Sequence, residues 1–189
     1  MNNQALASVL GLIYGLSELG LSLGRRAKSG ESSLKDQGSL RLLWVVIAVS
    51  VAMAYSVARR RPAADMGNSA ALRFLGIGIF VAGLSIRWYA IVYLGRFFTV
   101  NVAIAADHQL IDTGPYRFVR HPSYTGALMA FLGLGLCLSN WASLTLMVVP
   151  TFWVFSWRMQ VEETALLQAF ADRYRDYMRR TKRLIPAIY

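Results

Sequence analysis

The chain has 189 residues, 56% of them hydrophobic and only 16% charged, with 20 Lys and Arg against 10 Asp and Glu and a formal net charge of +10. This balance excludes an ordinary water-soluble domain and describes a membrane protein; the basic residues stand in the gaps between apolar runs, where they read as topology signals and anionic-lipid contacts rather than a nucleic-acid surface. A single cysteine, Cys137, excludes a disulfide within one chain, and two histidines thirteen positions apart make neither a zinc signature nor another metal site.

The first apolar run, about Ala5 to Leu23, is near the length that crosses a bilayer and carries one charge, Glu18. With no basic flank before it and no small-residue cleavage site after it, it reads as an uncleaved helix stopped by Arg25, Arg26 and Lys28. Gly11, Gly15, Gly20 and Gly24 offer small residues at a spacing of four, a pattern that permits close approach of another helix. A polar loop is expected from Arg25 to Ser39, then a second span from about Leu42 to Ala58, closed by Arg59, Arg60, Arg61 and Pro62. The third span runs from about Ala70 to Leu94. It contains Arg87 beside Trp88 and Tyr89, and its position near the end of the run favours a side chain that snorkels to the interface.

Between Asp107 and Gly126 lies the densest polar and breaker-rich stretch of the chain, holding both histidines, His108 and His121. The Gly114-Pro115 and His121-Pro122 steps force turns, because proline fixes its own φ and pushes the preceding residue out of the helical region. A compact loop presenting Tyr116, His121, Ser123 and Tyr124 at a membrane surface is expected, and polar loops ordered in that way are usually kept for function.

The 34 residues from Tyr124 to Trp157 carry no charge. One straight helix of that length would measure ~50 Å against a hydrocarbon core of ~30 Å, so a hairpin of two helices is predicted. Its turn falls at Ser139-Asn140, and Pro150 should kink its second arm. The count becomes five spans. Leu166, Phe170, Tyr174, Tyr177 and Met178 then recur at spacings of three and four among Arg173, Arg175, Arg179 and Arg180, which makes the tail a basic amphipathic helix lying on the membrane or over the pocket. At its start, Arg158 and Glu162 share one helical face.

With five spans, fifteen basic residues fall on the side of the central loop and the tail and four on the other. By the positive-inside rule the N-terminus is outside, and the central loop and C-terminus are cytosolic; a prokaryotic cell membrane is the expected setting. The fold class is therefore all-α: a single domain over residues 1–189, with three spans in 1–99 and the polar loop, hairpin and amphipathic tail in 100–189.

Arg120-His-Pro-Ser-Tyr-x-Gly126, the preceding His108-Gln-Leu-Ile and Gly114-x-Tyr116, and the later Arg158-x-x-x-Glu162-Glu163 with Leu166, Phe170, Tyr174, Tyr177 and Ile185-Pro186 resemble the isoprenylcysteine carboxyl methyltransferase family. The resemblance covers about Val100 to Pro186. It implies an integral membrane enzyme that moves a methyl group from S-adenosylmethionine to the carboxylate of a lipid-modified cysteine. By position it implies a cofactor site of His108, Gln109, Leu110, Ile111, Tyr116, His121, Pro122, Ser123, Tyr124 and Glu162. Asn101 stands where such enzymes can carry glutamine, and Arg158 would meet the substrate and serve catalysis.

The residue chemistry agrees. There is no Gly-x-Gly-x-x-Gly between a strand and a helix and no Walker sequence, so a nucleotide-like cofactor must be held by the polar loop. A carboxylate acceptor is already ionised at neutral pH and needs no general base, and an arginine suits it through its planar fork. Phospholipid amine N-methylation, a nicotinamide-dependent lipid or sterol reductase of related fold and a catalytically silent membrane adaptor remain as alternatives.

Overall fold

The computed structural model describes residues 2–24, 34–60, 64–67, 69–98 and 109–189, with the backbone alone for residues 34–37. Five helices follow one another: α1 (Asn3–Gly24), α2 (Leu34–Arg60), α3 (Ala70–Leu94), α4 (Pro122–Cys137) and α5 (Trp141–Arg180). Short 3₁₀ turns lie at Gly95–Phe97 and Gly114–Arg117. Among the described residues there is no strand, only two isolated bridges.

The helices are hydrophobic nearly all round, and the residues that do not meet another helix stay on the outside. Leu12, Leu16, Phe74, Val92 and Trp153 are all more than half exposed. Such a perimeter would be a liability in water and is the expected face toward lipid. Among the described residues α1, α2 and α3 are each long and apolar enough to cross a membrane, and α4 is a shorter apolar helix of 16 residues. Inside, Tyr14, Ile47, Phe80, Phe131, Leu134, Met147, Val154 and Phe155 form the core.

α3 and α4 approach most closely, and glycine is the reason. A Cβ on Gly83 would lie 2.6 Å from the Gly126 carbonyl, and one on Gly133 would lie 2.5 Å from the Gly76 carbonyl. Each helix thus contributes two glycines seven residues apart, two turns along one face. The spacing-of-four glycines of α1 behave differently: Gly15, Gly20 and Gly24 meet nothing within 4 Å.

The predicted hairpin forms, with Ser139 at φ 53° and Asn140 capping α5 through a 3.0 Å bond from the Ser143 amide. The Ser139 hydroxyl accepts from Asn3, its carbonyl accepts from Met66, and Ser143 donates to the Ala54 carbonyl. The start of α1, the connection from α2 to α3 and the hairpin tip therefore share one end of the bundle. The polar loop and the tail occupy the other.

Three boundaries differ from expectation. α2 begins at Leu34 rather than near Leu42, because Leu34, Lys35 and Gln37 are adequate helix formers and extend the helix beyond its apolar stretch. α5 keeps helical dihedrals through Pro150 and departs from them only at Ala171 (φ 45°, ψ −117°), so the expected kink at Pro150 gives way to a break at Ala171. Thr151 donates its hydroxyl to the Met147 carbonyl in the adjoining turn. α4 starts at Pro122, which places Ser123 and Tyr124 in a first helical turn rather than in the loop; proline is preorganised for that position.

Candidate active site

At the end of the bundle away from the hairpin tip, a cavity is lined by Gln109, Leu110, Ile111 and Tyr116 from the loop, His121, Ser123 and Tyr124 around the start of α4, and Arg158, Glu162, Leu166, Tyr174 and Tyr177 from α5. Tyr14 and Glu18 of α1, Leu43 and Trp44 of α2, Arg87 of α3 and Arg120 ahead of α4 also line it. A second, more apolar cavity between α1, α2 and α4 shares Tyr14, Glu18, Trp44 and Ile47 with the first and continues along Val51, Phe80, Phe131 and Leu134.

The loop is held on both sides. Gly114 has φ 56°, and a Cβ there would fall 2.3 Å from the Tyr93 ring, so only glycine fits. Tyr93 donates to the Thr113 hydroxyl, and Tyr116 donates to the Ala90 carbonyl of α3. From the tail, Tyr177 donates to the Tyr116 carbonyl at 2.6 Å. Burial raises the phenol pKa values of Tyr116, Tyr174 and Tyr177 well above the ordinary value, so these groups stay neutral. The C-terminal segment lies beside the loop as a strap: the Arg120 and His121 amides donate to the Lys182 and Arg183 carbonyls, and the Thr125 hydroxyl donates to that of Leu184.

Two neighbouring carboxylates on α5 point to different work. Glu163, with a side chain 4% exposed, accepts from Arg120 Nε at 2.9 Å and from Arg183 Nη2 at 2.7 Å, and stands 3.2 Å from His121 Nε2. Burial alone would raise its pKa, yet the bonds from His121, Arg183 and Arg120 prevail and hold it down to about 2. Glu162 is 26% exposed toward the cavity; it accepts from the Tyr124 hydroxyl and lies 3.4 Å from Arg158 Nε and 3.6 Å from His121 Nδ1. Arg158, 1% exposed, also donates to the hydroxyl of Ser39, within reach because α2 begins early.

Of the residues expected in the site, the fold brings Gln109, Leu110, Ile111, Tyr116, His121, Ser123, Tyr124, Arg158 and Glu162 to one cavity. Pro122 starts α4 and is not part of the lining, while Asn101 and His108 lie outside the described residues. His121 is bracketed by both carboxylates, so much of its bonding goes to the protein itself.

The snorkelling expected of Arg87 does not occur. Its Nε and Nη2 grip Glu18 at 2.6 and 2.7 Å, its Nη1 donates to the Ser123 carbonyl at 3.2 Å, and its side chain is 11% exposed. A guanidinium with a carboxylate available on a neighbouring span gains more by pairing than by reaching for water. Sequence reasoning weighed Glu18 and Arg87 separately; two opposite charges in two apolar spans were the signal that would have joined them. Glu163, Arg120 and Arg183 were missed as a cluster, because nothing in their spacing announces that a tail folds back onto a loop.

The family model for phospholipid methyltransferases matches residues 71–173, more than half of the chain. The protein-S-isoprenylcysteine O-methyltransferase of Schizosaccharomyces pombe is 35% identical over 114 residues, covering 59% of this chain and 48% of its own length. A probable protein-S-isoprenylcysteine O-methyltransferase of Oryza sativa subsp. indica is 30% identical over 145 residues, 76% of both chains. Among solved structures, a eukaryotic intramembrane Ras methyltransferase, isoprenylcysteine carboxyl methyltransferase, matches with a TM-score of 0.65 and 28% identity over 77% of this chain and 52% of the other. The chain thus spans about half the length of the yeast protein and of that solved structure, and these relatives are eukaryotic, so the prokaryotic setting draws no support from them. Matched over most of its length, with its polar loop, hairpin and tail gathered around one cavity, the chain belongs to the phospholipid methyltransferase family, among the protein-S-isoprenylcysteine O-methyltransferases.

Proposed function

We propose that this protein is a membrane methyltransferase that uses S-adenosylmethionine to methylate the carboxylate of a lipid-modified, isoprenylcysteine-like acceptor. One observation carries the reading: three guanidiniums, Arg87, Arg120 and Arg158, and two carboxylates, Glu18 and Glu162, line a single cavity that shares part of its wall with an apolar chamber.

The donor set suits the cofactor. Glu162 offers a partly exposed anion for a cationic ligand, and the loop residues Gln109, Leu110, Ile111 and Tyr116 with Tyr124 offer apolar and aromatic surfaces and backbone groups for a nucleoside. His108 and Asn101 would add to it from the neighbouring segment. When bound, S-adenosylmethionine supplies an activated methyl group on a sulfonium centre. Arg158 orients the acceptor carboxylate toward it, and the apolar chamber takes the lipid chain while keeping water from the nucleophile. Arg158, set beside the acceptor group in this reading, is the wrong charge for an amine, which favours a carboxylate over phospholipid N-methylation.

In this reading the protein is an integral membrane enzyme with a cytosolic pocket and an external N-terminus; its partners are the lipid acceptor and membrane lipids. Incubating membranes containing the full chain with methyl-labelled S-adenosylmethionine should label an alkali-labile ester on a prenylated cysteine. Alkali-stable label in a phospholipid headgroup would replace this reading with amine methylation.

A further inference from the structure

Glu18 is the charge that the proposed reaction does not use. It sits in a span otherwise free of charge, is 6% exposed, and lines both cavities. A guanidinium presents two edges for a carboxylate; Glu18 fills the Nε–Nη2 edge of Arg87 with two short bonds, and the Ser123 carbonyl takes up Nη1. For holding α1 against α3, a buried ion pair is a poor device, since apolar residues of the same volume would usually serve as well. Intramembrane charges are characteristic of sites.

We propose that Glu18 is a resident counter-carboxylate of the acceptor site: it occupies the edge of Arg87 that an incoming carboxylate would take, and thereby sets the affinity and charge selectivity for the acceptor. The inference rests on the carboxyl-methyltransferase reading above. With Glu18 paired to Arg87 and Glu162 near Arg158, these four charges sum to zero before the acceptor arrives. An anionic headgroup therefore has to displace Glu18 from Arg87 or bind against its charge. A neutral headgroup meets no such competition.

The test is steady-state kinetics of the detergent-purified full chain, with N-acetyl-S-farnesylcysteine as acceptor and its uncharged carboxamide as competitor. Glu18→Gln keeps a hydrogen-bonding partner for Arg87 but removes the charge. It should lower the acceptor KM on the order of tenfold, leave the KM for S-adenosylmethionine unchanged, and leave the inhibition constant of the carboxamide unchanged. An acceptor KM that stays the same or rises overturns the inference, as does a parallel fall for the carboxamide; either result reduces the pair to a tie between helices. If Glu18→Gln does not fold, Glu18→Asp takes its place. Its shorter stem loosens the grip on Arg87, so the acceptor KM should fall about threefold on the same physical ground, and an unchanged KM overturns the proposal. Failure of the carboxyl reading is visible separately: wild-type protein that binds S-adenosylmethionine but neither binds nor methylates the farnesylcysteine acid defeats that reading, and this inference with it.

Discussion

Glu162 and Glu163 are neighbours in sequence and opposites in environment. Glu163 faces the loop and the C-terminal strap, where Arg120, Arg183 and His121 surround it and leave its side chain 4% exposed. Glu162 faces the cavity, keeps 26% of its side chain accessible, and has contacts that a ligand can share or displace. A carboxylate whose bonds are already filled by its own protein builds structure, whereas one left partly open is available for recognition. One helical step separates the clamp from the site it shapes.

The largest effect expected from breaking this contrast lies on the clamp side. Glu163→Ala takes the carboxylate partner from the buried guanidinium of Arg120 and the partly exposed one of Arg183, and loss of a partner in a buried pair costs ~3–5 kcal/mol. Thermal unfolding in detergent should drop markedly, and cofactor and acceptor binding should fall together. A stable protein with only one of the two affinities changed would place Glu163 in the site instead.

On the cavity side the losses should separate. Arg158→Ala should lower methyl transfer on the order of a hundredfold, ~2.7 kcal/mol, while largely retaining affinity for S-adenosylmethionine. Glu162→Gln, which preserves shape and removes charge, should weaken cofactor affinity on the order of tenfold, ~1.4 kcal/mol, with a smaller effect on the acceptor. Cofactor titrations and single-turnover rates on both variants provide the comparison. Equal, small losses in both quantities would leave the Arg158–Glu162 contact as a helix ion pair and remove its support for a carboxylate acceptor.

How much of this was legible beforehand follows from which interactions are local. The hairpin turn at Ser139-Asn140 was readable because an uncharged run of 34 residues is too long to cross once and contains one turn-capable pair. Tyr116, His121, Ser123 and Tyr124 were readable because prolines, glycines and polar residues concentrate there, whereas Gln109, Leu110 and Ile111 were reached only through the family resemblance. The glycine seam was not: the repeat that caught attention lies on α1, whereas the contacts are made by Gly76 and Gly83 against Gly126 and Gly133, and a seam needs both partners to be seen. Arg87 was misjudged for the same reason. Its depth in the span is a property of one helix, but its partner Glu18 is 69 residues away, and no periodicity joins them. Glu163 has the look of a solvated tail residue until the tail is known to fold back on the loop.

The smallest expected effect is graded rather than all-or-none, and it isolates the clamp from the site. The pKa of Glu163 is about 2 in the folded protein against an ordinary 4.5, because the bonds from His121, Arg183 and Arg120 outweigh burial. A carboxylate depressed by folding binds fewer protons folded than unfolded, so its contribution to stability is complete above the unfolded value and is lost as pH falls toward the folded one. Lowering the pH from about 5 to about 3 should therefore reduce the unfolding temperature of wild-type protein progressively. Other carboxylates titrate over the same interval, so the informative quantity is the difference from Glu163→Gln, which carries no charge there to lose. The variant should begin less stable and fall less steeply, and the two curves should converge as the pH drops. Parallel curves would mean that Glu163 is as easily protonated in the folded chain as in the unfolded one, and the contrast between a saturated clamp and an open site would lose its electrostatic basis.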